Sequence, residues 1–117
     1  MKIRLDKLDI LFSKYVRLRA DNHCEFCGKY FEFGRLQCSH FKGRRRHSVR
    51  YDPDNAAALC FGCHSYLGEN PDVHTAWFKK RLGSEKFEQL MARADLIVKP
   101  KRDEIEARLK EMIKSAE

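Results

Sequence analysis

Apolar residues recur at helical spacing near the start of the chain: Leu5, Leu8, Leu11, Phe12, Tyr15, Val16 and Leu18, with basic residues between them. This spacing predicts an amphipathic helix over residues 5–20, ended by Asp21 and Asn22. Aromatic Phe26, Tyr30, Phe31 and Phe33 follow, and Gly34 marks a turn. From Leu36 to Phe41 the pattern alternates, placing Leu36, Cys38 and His40 on one face of a short strand. Residues 42–47 read as a polar loop, Val49 to Tyr51 as a short extended piece, and Asp52-Pro53-Asp54-Asn55 as a turn. Ala56 to Leu59 gives a second strand, and Cys60 to Leu67 a helix that stops near Gly68. Asn70-Pro71-Asp72 supplies a cap, a proline and a first-turn acid, so a helix runs from there to Leu82 and ends at Gly83. Ser84 is expected to cap the next, through Ala94. Leu96 to Pro100 reads as a linker. A charged helix over 102–116 places Ile105, Leu109, Met112 and Ile113 on one face. Trp77, Phe78, Leu82, Phe87 and Leu90 are read as core between helices. Two strands among these helices predict an α+β fold.

Composition narrows the class. The 117 residues are one domain's worth, with 101–117 either part of it or an oligomerisation helix. Aromatics at 11% and five cysteines oppose disorder, even with 35% charged residues. No run of 18 uncharged apolar residues exists, so no membrane partner is expected. The start, Met1 to Lys7, is broken by charges and does not resemble a signal peptide. The expectation is a soluble, cytoplasmic protein.

The net charge is +7, unevenly placed. Residues 1–20 hold six basic and two acidic groups, while 101–117 hold five of each. Residues 41–50 carry Lys42, Arg44, Arg45, Arg46 and Arg50 with no acid. So dense a basic tract suits a polyanion, with nucleic acid the first choice, or is simply a solvated loop.

The cysteines sharpen this. Cys24/Cys27 and Cys60/Cys63 form two Cys-x-x-Cys pairs 32 residues apart, and Cys38 stands alone. An odd count argues against a disulfide framework. Two thiolates spaced by two residues can grip one metal from one turn, and two such knuckles complete a tetrahedral zinc shell. Gly28 after Cys27 suits the tight knuckle turn. A closed four-thiolate zinc has no open position, so it is expected to hold the fold rather than catalyse.

Cys24-Glu25-Phe26-Cys27-Gly28, Ser39-His40, Asp54-Asn55 and Leu59-Cys60-Phe61-Gly62-Cys63-His64 together resemble the HNH endonucleases of the His-Me finger superfamily. Double zinc knuckles are also found in the phage endonuclease VII group. Cys38-Ser39-His40-Phe41 with the basic loop and Arg50-Tyr51-Asp52-Pro53-Asp54-Asn55 is most similar to phage recombination nucleases of the NinG/Rap type. The resemblance covers about residues 15–95 and makes 1–100 the nuclease domain. It implies a small zinc-stabilised ββα-metal, treble-clef-like core with an N-terminal helix and C-terminal helices. It also implies hydrolysis of DNA phosphodiesters to 5′ phosphate and 3′ hydroxyl ends, in phage recombination or branched-DNA processing and so in the host cytoplasm. By motif, His40 would be the general base, Asn55 would brace the loop and orient His40, and His64 would bind a catalytic divalent cation. Magnesium or manganese is the expected ion, though imidazole also suits nickel or zinc. Lys42, Arg44, Arg45, Arg46, His47 and Arg50 would contact duplex or branched DNA, His47 being equally a bystander. A resolvase needs two active sites, so a homodimer through the C-terminal helix is one expectation and packing within the chain the other.

One departure stands out. Many HNH enzymes place an acid or histidine just before the base as a second metal ligand, and here that position is Ser39. The site is then either a weak metal site, filled with DNA present, or one that has lost catalysis. Two other readings follow: a non-catalytic zinc module binding nucleic acid or protein, and a homing or restriction-type HNH nuclease with a defined site. Cys38 is either a small buried hydrophobe or a neighbour of the catalytic metal. His23 and His74 are assigned no role.

Overall fold

The computed structural model describes residues 5–117. The charged start at 1–4 lies outside them. Helix α1 spans Lys7–Arg19. Asp6 caps it by accepting from the Asp9 N–H at 2.9 Å, while the Asp9 carboxylate accepts from the Asp6 N–H at 2.9 Å. This reciprocal cap sets the helix start, so Leu5 falls outside the helix and is exposed. Leu8, Phe12 and Val16, spaced by four, form the buried stripe. Asp21 and Asn22 take positive φ of 51° and 62° and turn the chain out of the helix, a conformation these two residue types tolerate well.

Strands β1 (Leu36–His40) and β2 (Ala56–Cys60) pair antiparallel, with Leu36 opposite Cys60 and His40 opposite Ala56. Every residue of β2 is buried. Its alanines have no side chain beyond Cβ, which lets neighbouring elements approach the ribbon closely. Helix α2 (Phe61–Glu69) leaves β2 directly, and α3 (Pro71–Leu82) and α4 (Ser84–Ala94) follow. Gly83, at φ +87°, makes the break between α3 and α4. It occupies the cap position expected of Ser84, which is instead the first helical residue.

The extended piece expected at 49–51 is a buried turn. Val49 is taken up by turn bonds, its N–H to Arg46 O at 3.0 Å and the Asp52 N–H to its own carbonyl at 3.1 Å, and not by a strand partner.

Helix α5 (Arg102–Ala116) packs along α1. Leu109 is fully buried in the same cluster as Leu8 and Phe12, and Ile113 is buried as well. Ion pairs Lys7–Glu106 (3.1 Å) and Arg102–Asp6 (3.2 Å) flank the seam. The apolar stripe that could have joined two copies is therefore used within the chain. Phe78 and Leu90 are fully buried, and Trp77 packs edge-on against Phe26 and Phe78 at 5.2 and 5.1 Å, as core. Among the described residues no helix is long and apolar enough to cross a membrane.

Candidate functional site

The two cysteine pairs come together. The sulfurs of Cys24, Cys27, Cys60 and Cys63 all lie within 4.8 Å of one another. The first knuckle is closed by Gly28 N–H to Cys24 O (2.8 Å) and Cys24 N–H to Lys29 O (3.0 Å), with Gly28 at φ +77°. Glu25 N–H to Ala58 O (2.9 Å) ties that knuckle to β2, and Cys60 and Cys63 sit where β2 passes into α2. Burial opposes ionisation of Cys24, but hydrogen bonds from the backbones of Cys27, Cys60 and Phe26 outweigh it and bring the thiol down to about 7. Burial and the adjoining thiols push Cys63 up. Four sulfurs so close resist sharing negative charge without a cation between them. They could hold a structural metal such as zinc.

A cleft of about 620 Å³ opens beside this centre. His40, at the end of β1, and His64, in the first turn of α2, both line it. His40 Nε2 lies 2.9 Å from the Arg50 carbonyl. A carbonyl can only accept, so Nε2 carries the hydrogen and the basic lone pair is on Nδ1. Burial lowers the His40 pKa below its ordinary 6.5, and the charges of Arg44 and Arg50 add to this against the Arg50 carbonyl and Asp9. The ring is therefore neutral at pH 7, resting against Phe12 at 5.6 Å between centroids.

Asn55 is fully buried beneath the 41–49 loop. Its Nδ2 donates to Lys42 O (2.9 Å) and Val49 O (3.0 Å), and its Oδ1 accepts from Lys42 N–H (2.8 Å). One side chain thus clamps both ends of the basic loop, and its bond to Val49 fixes the peptide next to the carbonyl that holds His40.

The basic residues divide. Arg44 lines the cleft, and Arg45 and His47 are exposed. Lys42 sets its ammonium over the Phe41 ring at 5.4 Å. Arg46 donates to the Ala94 carbonyl at 3.2 Å and the Asp95 carboxylate at 3.3 Å, which pins the loop to the end of α4. Arg50 was expected on DNA and is elsewhere. It is buried and forms a two-point pair with Asp9, its Nε donating to Oδ1 at 2.9 Å. A phosphate outside cannot compete for a guanidinium already matched to a buried carboxylate. Arg50 is a positioning residue: α1 holds its side chain, and its carbonyl holds His40.

Ser39 is buried and offers the cleft no ligand. Burial pushes the Cys38 thiol up to about 12, so in the absence of a metal it lines the cleft as a protonated thiol. His74 packs between Phe41 (5.4 Å) and Phe78 (5.3 Å).

Arg17 escaped the sequence reading. It also lines the cleft, its guanidinium 4.2 Å above the Phe33 ring and its Nε donating to Ser13 O at 3.2 Å. Among the described residues it forms no ion pair. Ile10, Ser13 and Arg17 also share one face of α1, three and four residues apart, and that face lines the cleft. The excess of basic residues in 1–20 was the available signal.

Compared with protein-family models, curated proteins and solved structures, the chain matches none.

Proposed function

We propose that this protein is a metal-dependent DNA endonuclease, with β1, β2 and α2 forming a ββα-metal core and the cysteine centre holding structural zinc. The observation that carries the reading is the setting of His40. A half-buried, neutral imidazole has its Nε2 committed to a backbone carbonyl, which leaves Nδ1 as the base in a cleft shared with His64, Arg17 and Arg44. His40 takes a proton from water, and the water oxygen attacks phosphorus as the 3′ oxygen leaves. Arg17, from α1, and Arg44, from the basic loop, both bring positive charge to the phosphate. Their contacts position the strand without reading its sequence, which suits structure-selective binding. A divalent cation held by His64, magnesium or manganese, would supply Lewis-acid stabilisation of the phosphate and the leaving oxygen. His64 is the one protein ligand the cleft provides in this reading, since Asp9 is committed to Arg50 and Ser39 is buried. By resemblance, the biology is phage recombination or branched-DNA processing.

The buried Ser39 favours a second reading, a zinc-stabilised module that binds nucleic acid without cutting it. His40→Ala separates the two. Under the enzyme reading the variant binds DNA as the parent protein does and cuts it at least about a hundredfold more slowly. Cutting at the parent rate would remove His40 from the chemistry.

A further inference from the structure

The basic loop has two sides. Gly43 and Arg44 line the cleft of His40 and His64. The next residues, Arg45, Arg46 and His47, form one wall of a separate groove of about 340 Å³. Its other wall is Ala94 and residues 95–98. Arg46 holds the walls together through Ala94 and Asp95. Past the exposed Asp95 carboxylate, which Arg46 matches, the second wall is an aliphatic ridge, with Leu96 56%, Ile97 103% and Val98 49% exposed. Lys99 and Lys101 follow it in the chain. Consecutive exposed aliphatic side chains in an otherwise charged surface mark a contact site.

We infer that this groove is a subsite for one unpaired nucleotide of the DNA that enters the cleft. The inference rests on the DNA reading above and deepens it to a substrate class. A nucleotide carries an anionic phosphate and an apolar base face; Arg45 and Arg46 against the one carboxylate of Asp95 leave the groove positive for the first, and the aliphatic ridge suits the second. In a duplex the base faces are hidden in the stack, and reaching them costs unstacking energy. A flap, bulge or junction offers the face free. A second copy of the chain is a poor occupant, because it would bring its own basic loop against this one. The loop is continuous, so a strand crossing from the cleft over Arg44 reaches Arg45 and Arg46 next.

The test is fluorescence anisotropy with the zinc-loaded full chain and no other divalent cation. The probes are a perfect duplex and the same duplex with one unpaired nucleotide. The parent protein is expected to prefer the unpaired probe about tenfold. The double variant Leu96→Ser, Ile97→Ser alters only exposed side chains. It is expected to lose that preference, bind the duplex like the parent, and keep the parent's circular dichroism. Equal binding of both probes by the parent, or a preference that survives in the variant, overturns the subsite. So does a parent dimer that the variant converts to monomer in sedimentation, which assigns the ridge to a second copy. If the parent binds neither probe, the DNA reading falls as well. If the preference holds but magnesium and manganese support no cutting, only the endonuclease reading falls.

Discussion

His40 is held by two restraints that act through different parts of the chain. The Arg50 carbonyl fixes its tautomer, and burial with nearby positive charge keeps it neutral. Behind the carbonyl, Asp9 grips the Arg50 side chain and Asn55 grips the neighbouring Val49 carbonyl. A base must be unprotonated to act, and a pKa below 6.5 moves its protonation to more acid pH. Cleavage is therefore expected to fall to half its plateau only below pH 6.5. A rate that already halves at or above the ordinary histidine value of 6.5 would contradict this setting of His40. The cysteine centre was legible because each Cys-x-x-Cys pair carries metal-ligand spacing within a single turn. The fate of Arg50 was not, since Asp9 is 41 positions away. Arg17 was equally hidden, because the Phe33 ring that orients it comes from beyond the first knuckle.

The strand and helix elements followed from hydrophobic period and turn chemistry. Alternation marked β1, and Asn70-Pro71 and Gly83 bracketed α3 as the capping rules require. Errors arose where side chains claim backbone groups. Asp6 and Asp9 cap α1 and leave Leu5 out, and the 49–51 segment bonds to its own loop and to Asn55 in place of a strand. The junction of β2 and α2 bears the most on stability. It supplies Cys60 and Cys63, while the first knuckle is tied to β2 by the Glu25 bond. Removing the metal should free both knuckles and the start of α2, which carries His64. Purified protein is expected to hold one zinc per chain by elemental analysis. Cys60→Ser should lose it and unfold at a markedly lower temperature, since such sites contribute about 10–16 kcal/mol to small domains. A variant that melts with the parent would show that the four thiols do not hold the fold through a metal.

Across the whole molecule, α1 is the common wall. One face packs on α5 and the ribbon through Leu8, Phe12 and Val16, and another lines the cleft through Ser13 and Arg17. The basic loop lines the cleft as well, through Gly43 and Arg44, and α4 anchors that loop through Arg46. Positive charge therefore converges on the histidines from two parts of the chain distant in sequence, an arrangement suited to a polyanion. Composition showed the excess charge, but only the packing of α1 against the ribbon gave it a direction. The most direct test of an endonuclease is cleavage of end-labelled linear, forked and four-way DNA by zinc-loaded protein. Magnesium or manganese is added, with His40→Ala alongside. The account predicts metal-dependent cuts with 5′ phosphate ends, strongest on the branched substrates and absent in the variant. No cutting of any substrate by folded, zinc-loaded protein would contradict it and leave a nucleic-acid-binding module.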